Sequence, residues 1–295
     1  MAALNLEFLQ PAFMQRALLA AVLVGMCAPA IGTYLVQRRM ALMGDGIGHV
    51  ALFGVAIGLA LGAAPVLAAV VVATLGAVAI EILRERGTAS GDVALALLFY
   101  GGIAGGVVTI GLSAGASNAN LLAYLFGSLT TVAPGDLRLI AILAGLVLAV
   151  TLGLSRWLFT VCHDEEFARV AGLPVRALNL VIAIAAAVTV TVAMRVVGVL
   201  LVSALMVVPV ATAQQLSRGF RTTLALALGL GVLYAVTGVI FSYYADTAPG
   251  ASIVVLGIAG FAVVSVLAGI SRTVRNQRRR PEIVEMYEDD VILET

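Results

Sequence analysis

"RRMALMGDGIGHVALFGVAIGLALG", residues 38–62, places a carboxylate and an imidazole, Asp45 and His49, in an apolar run long enough to cross a membrane. A crossing needs about 18–20 apolar residues in a helix, because a helix satisfies its own backbone hydrogen bonds in hydrocarbon. Spaced i and i+4, the two side chains leave one helix face about 5–6 Å apart. A rise of about 1.5 Å per residue from Met40 predicts His49 about 14 Å deep, near the middle of the hydrocarbon core. An ionisable group there is expensive unless it faces a cavity or a partner. Two readings follow: an Asp–His bond that locks two helices, or a pair of metal or proton-handling ligands on a permeation path. The second is the expectation. Gly44, Gly46 and Gly48 interleave with the pair, and no strand or βαβ unit surrounds them, which excludes a nucleotide-binding glycine loop.

The rest of the chain shares this character. Hydrophobic residues make up 62% of the 295 positions and charged residues 11%, too few charges to cover a water-soluble globule. Alternating ten-residue segments of a β-barrel are absent, so the sequence predicts an all-α, polytopic integral membrane protein. A net charge of +1 points to no nucleic-acid partner, leaving membrane lipid as the surrounding medium. All basic residues are arginine. Without lysine the chain has neither a P-loop nor a Schiff-base nucleophile, so any ATP must be bound by another chain. Cys27 lies in the first apolar run and Cys162 in a charged loop, with no metal-binding cysteine spacing around either. The N-terminal apolar run shows no signal-peptide cleavage pattern and reads as a retained span.

Spans are expected near 13–36, 40–62, 65–83, 92–113, 136–158, 176–195, 198–216, 222–243 and 251–271. "NLLAYLFGSLTTV", 120–132, is short for a crossing and reads as interfacial or re-entrant. Short cytoplasmic loops collect arginine. Arg38 and Arg39, Arg84 and Arg86, Arg156 to Arg176, Arg218 and Arg221, and the tail fall on one side, while the connections near 62–65, 113–120 and 244–250 carry none. Nine crossings therefore place the N-terminus outside and the C-terminus in the cytoplasm. Eight spans plus one broken segment is the alternative, because Pro209 predicts a kink and Arg195 stands between two apolar runs without a loop. Arg195 reads as an interfacial residue snorkelling outward at a tight turn. Gly54, Gly58 and Gly62, and Gly101, Gly102, Gly105 and Gly106, predict close helix packing. Residues 1–271 thus form the membrane domain and 272–295 a solvated cytoplasmic extension.

An imidazole with a carboxylate suits zinc, manganese or iron(II) better than magnesium or calcium. Two ligands are too few for a closed site, so water, other residues or a second subunit must complete it. Histidine protonation would compete with the metal and weaken uptake as pH falls. A second informative stretch is "CHDEEFARVAGLPVRA", 162–177. Asp164 reads as an N-cap, and Glu165 and Glu166 complement the positive end of a short helix. Phe167, Val170 and Ala171 form an apolar stripe, and Gly172 with Pro174 ends the helix. Such a helix either docks in another protein's groove or lies on the membrane. His163 reads as a solvated loop residue.

"RRMALMGDGIGHVALFGVAIG", "YLFGSLTTVAPGDL", "DEEFARVAGLPV", "VVPVATA" and "TAPGASIVVL" occur in an order that resembles the permease subunits of zinc/manganese ABC importers, over roughly 13–270. The resemblance implies a type II ABC importer permease fold and a homodimer with two cytoplasmic ABC ATPase subunits, in the bacterial plasma membrane. It also implies an extracytoplasmic metal-binding protein that delivers Zn2+ or Mn2+ as the transported substrate, and no permanently bound cofactor. Asp45 and His49 match the Asp and His of that family that contact metal. Residues 164–173, including Asp164, Glu165, Glu166, Phe167, Val170, Ala171 and Gly172, match the helix that couples the permease to the ATPase. Such a chain is a transport subunit and not an enzyme. A proton-coupled secondary transporter using Asp45 and His49 as a relay is the rival reading.

Overall fold

The computed structural model describes residues 10–85, 91–112, 124–128 and 134–292. Among them all regular structure of length is helical: α1 (Ala12–Gln37), α2 (Met43–Ala60), α3 (Pro65–Glu85), α4 (Gly91–Gly111), α5 (Pro134–Gly153), α6 (Ser155–His163), α7 (Glu165–Val170), α8 (Val175–Ala193), α9 (Val199–Leu216), α10 (Phe220–Ala245) and α11 (Pro249–Ile292). Within the described residues, 9 helices are long and apolar enough to cross a membrane, all but α6 and α7. The chain is a multi-pass membrane protein, as its composition requires.

α1, α2 and α8 are the most buried spans and form the centre. α1 packs against α10, α9, α5 and α8, and α2 packs against α4, α3, α9 and α8. Small residues set these distances. A Cβ on Gly54 would lie 2.6 Å from Ala69 Cα, and one on Gly58 2.7 Å from Pro65 Cα, so these two glycines seat α3 on α2. Gly62, expected on the same face, instead has φ +63° and turns the chain after α2. Gly102 and Gly105 seat α4 on the His49–Phe53 face of α2, while Gly101 meets nothing within 4 Å.

Several expectations change. The predicted span 136–158 divides: α5 ends at Gly153 and α6 begins at Ser155. Hydropathy falls beyond Gly153, where Ser155 and Arg156 open α6, and α6 buries only Leu158, Val161 and Cys162 on one side, the pattern of a helix lying along an interface rather than through it. Cys162 is therefore a buried helical residue, not a loop residue, and burial pushes its thiol pKa up to about 12. His163 closes α6, with its ring stacked 5.5 Å from Phe159. Pro209 sits inside a continuous α9, so no broken segment is needed.

Arg195 does not snorkel outward. Its side chain is 16% exposed and pairs with Asp136 at 3.2 Å, and the guanidinium lies 4.8 Å from the centre of the Tyr124 ring. The turn that carries it, residues 194–198, is held under residues 124–128: a Cβ on Gly198 would strike the backbone of 125–127. An outward arginine would leave Asp136 without this partner at the N-terminal turn of α5. The remainder of 120–132 lies outside the described residues. The last helix continues past the expected end of its span through Ile292, so the backbone of 272–292 is helical.

Candidate functional site

Asp45 lies in the first turn of α2, where the helix dipole favours an anion. Because α2 begins at Met43 and not Met40, His49 sits about 9 Å along a helix about 26 Å long. It is thus nearer one end than the sequence count implied. Ser203 of α9 donates its hydroxyl to Asp45 Oδ1, and this hydrogen bond fixes the carboxylate from across the bundle. Asp45 also borders a cavity of about 260 Å³ lined with Leu42, Leu95, Ala96, Phe99 and Tyr100. Leu42 and Tyr100 are exposed, so this cavity opens on the surface of the single chain.

His49 is 8% exposed. Its ring meets Phe99 of α4 edge-on, with centroids 4.3 Å apart. Its Nδ1 is buried and has no hydrogen-bond partner. Buried polar atoms are nearly always satisfied, so an orphaned imidazole nitrogen beside a carboxylate needs an explanation. The absence of an Asp45–His49 hydrogen bond at that nitrogen weakens the helix-locking reading. Among the described residues no third His, Cys, Asp or Glu joins them to make a metal-holding group. One carboxylate and one imidazole can hold a borderline cation only with further ligands from water or another chain.

The interleaved glycines bring the neighbouring helices onto this face. A Cβ on Gly44 would lie 3.2 Å from Ser203 Cβ, and one on Gly48 3.1 Å from a Val199 methyl. A Cβ on Gly46 would lie 2.5 Å from a Leu95 methyl. Gly44 and Gly48 thus admit α9, with its Ser203, and Gly46 admits α4. Ser203 carried no signal in the sequence, because its role depends on a partner 158 positions away.

Residues 164–173 form the predicted short helix beside the arginine-bearing connections, on the side of the bundle where α2 begins. Asp164 caps it, accepting from the Phe167 amide at 2.8 Å. Ala171 is its C-cap, and Gly172 has φ +78°, the left-handed geometry that glycine adopts freely. The apolar stripe points away from the bundle: Phe167 is 61% and Val170 88% exposed, and Ala171 is exposed too. Ala168, not singled out from the sequence, is the residue that packs inward. Glu166 is exposed.

Glu165 faces the other way, into an ion-pair cluster that sequence reading missed. It lies 3.9 Å from both Arg38 and Arg84 and 3.3 Å from Arg169. Glu81, with a side chain only 3% exposed, meets Arg84 at 2.6 Å and Arg38 at 3.8 Å. Burial and the nearby Arg84 pull the Arg38 pKa below its usual value, against the opposing pull of Glu81. Arg176 pairs with Glu85 at 2.9 Å. The only visible signal was a lone Glu81 near the end of an apolar run. The cluster ties α7 to the end of α3 and to the connection that leads from α1 into α2.

Known proteins match this arrangement over most of its length. The manganese transport system membrane protein MntC of Halalkalibacterium halodurans is 33% identical over 257 residues, 87% of this chain and 88% of that protein. The high-affinity zinc uptake system membrane protein ZnuB of Haemophilus influenzae is 31% identical over 239 residues, 81% of this chain and 91% of that protein. The solved structure of PsaBC from Streptococcus pneumoniae in complex with Fab superposes with a TM-score of 0.76 at 29% identity, covering 87% of this chain and 92% of its counterpart. The family model for the ABC 3 transport family matches residues 10–268. With its helical membrane bundle and a match of that extent, the chain belongs to the ABC 3 transport family.

Proposed function

We propose that the chain is the permease subunit of an ATP-driven importer of zinc or manganese. In this reading Asp45 and His49 contact the ion in transit, and the α7 helix couples the permease to a cytoplasmic ABC ATPase. An extracytoplasmic metal-binding protein supplies the ion at the opposite face. The observation that carries the proposal is the orphaned Nδ1 of His49 beside the Ser203-held carboxylate of Asp45, inside a membrane span. The names of MntC and ZnuB support manganese and zinc as cargo. Asp and His serve both metals, so chemistry alone does not choose between them.

The opening of the Asp45 cavity supports a homodimer. A carboxylate facing lipid through that opening would be costly. A second copy across a two-fold axis covers it and brings another Asp45 and His49 towards the same path. The arginine-bearing ends meet at the Glu165 cluster, which supports a cytoplasmic C-terminus and an outside N-terminus in a bacterial plasma membrane.

Movement follows from the connections. ATP-driven displacement of α7 pulls on Glu165, and through Arg38 on the link into α2, which carries both ligands. In this conformation Nδ1 has no surface, so admitting the ion requires α4, with Phe99, to shift against α2. Membership of an ABC family favours this cycle over a proton relay. The test is reconstitution of the permease in vesicles with and without a candidate ATPase, measuring zinc and manganese uptake. Uptake that requires ATP and the second subunit is expected; uptake that follows a proton gradient and ignores ATP would overturn the proposal.

A further inference from the structure

We propose that a groove between α5–α6 and the first turns of α10 binds an anionic glycerophospholipid, with Arg156 and Arg221 on its phosphate. The groove encloses about 650 Å³. Its polar end carries Arg156, Arg221 and Ser155, and no acidic residue lines it. No described Asp or Glu pairs with either arginine, as with Arg16, Arg39, Arg138 and Arg218, whereas Arg38, Arg84, Arg169, Arg176 and Arg195 have such partners. α10 opens at Gly219 without a capping side chain, so its positive end adds to the same field.

The other end is apolar. Phe159 and Phe220 meet there at 4.5 Å, and Leu152 and Leu228 continue the lining along α5 and α10. Both helices pack on α1. Tyr34 of α1 supports Phe220 from the bundle side, its ring 5.6 Å from Phe220 and its hydroxyl donating to the Thr151 carbonyl at 2.7 Å. Farther along the two helices, Leu146 on α5 and Leu233 on α10 are exposed.

The level of the groove fits a headgroup. It lies where α5 ends and α10 begins, and beside Arg156 stands Trp157, 52% exposed. Tryptophan concentrates at the membrane–water boundary, where its ring is half in each phase. A soluble anion would satisfy the arginines and leave the aromatic and leucine lining uncovered. A zwitterionic lipid would cover the lining and bring a cation to two unpaired guanidinium groups. A lipid with net negative charge satisfies both ends. Basic residues near a membrane surface each favour anionic lipid by about fivefold.

Trp157 is the chain's only tryptophan, so its fluorescence reads the lipid beside the groove. The full chain is reconstituted in mixtures of phosphatidylcholine and phosphatidylglycerol, with one or the other brominated on its acyl chains to quench the indole. Brominated phosphatidylglycerol is expected to quench at a mole fraction about tenfold lower than brominated phosphatidylcholine. Arg156→Gln and Arg221→Gln should each remove much of that preference, and Arg218→Gln, outside the groove, should leave it intact. Equal quenching by the two lipids in the unsubstituted chain overturns the proposal and needs no variant. A preference that survives both substitutions together overturns it too, marking surface potential alone. Loss of the preference on adding millimolar inorganic phosphate would mark a phosphate pocket instead of a lipid site.

Discussion

Ser203 positions the Asp45 carboxylate without being a ligand in any reading of the sequence. Removing such a supporting hydrogen bond in metal sites typically costs about 10–100-fold in affinity or activity. Ser203→Ala is therefore expected to raise the metal concentration for half-maximal uptake by about tenfold, with unchanged membrane abundance; uptake assays across metal concentrations check it. Glu81 is the other residue whose single change should matter. It is buried against Arg84 and Arg38, and Glu81→Ala leaves two guanidinium groups short of their partner. Breaking a buried pair in this way costs about 3–5 kcal/mol, so the variant should unfold in detergent at a clearly lower temperature. Asp45 and His49 were legible as a candidate pair because their spacing on one helix face is local information. Ser203 and Glu81 were not, because both derive their meaning from contacts between distant segments.

At the scale of elements, α2 is held between α4 and α9 by missing side chains. A Cβ on Gly102 would stand 2.6 Å from the His49 carbonyl carbon. Gly102→Val should push α4 off α2, cost about 1–3 kcal/mol of stability and reduce uptake; thermal unfolding in detergent measures the first part. α7 makes the opposite use of side chains, presenting Phe167 and Val170 outward from a helix pinned by Asp164 and Glu165. Phe167→Asp should leave the permease folded and abolish ATP-dependent uptake, read together with ATP hydrolysis by the reconstituted complex. The cap, the stripe and the stop at Gly172 were all readable in sequence, since each is a few residues long. The one-sided burial of α6 was not, because it depends on distant segments, although Gly153, Ser155 and Arg156 do mark the break at Leu154. The inward turn of Arg195 was hidden for the same kind of reason: Asp136 is 59 positions away.

For the whole molecule, the nine spans found among the described residues were legible because a membrane requires long apolar runs. Which spans are central was not. α1 and α8 have hydropathies like those of the peripheral helices, while α2 has the lowest of the nine, and packing through small residues is what brings the three together. Residue, element and bundle meet in one arrangement: a central helix with two ionisable side chains, reached from one end by a pinned helix and an ion-pair cluster. Its most direct test is uptake of radioactive zinc and manganese by the ATPase-coupled permease carrying Asp45→Ala or His49→Ala, compared at equal folded abundance. Each substitution is expected to lower uptake by about a hundredfold or more, given what ligand-supporting residues alone contribute, while assembly and thermal stability persist. Retained uptake in either variant, or loss of uptake only because the bundle fails to fold, would contradict the assignment of Asp45 and His49 to the path of the ion.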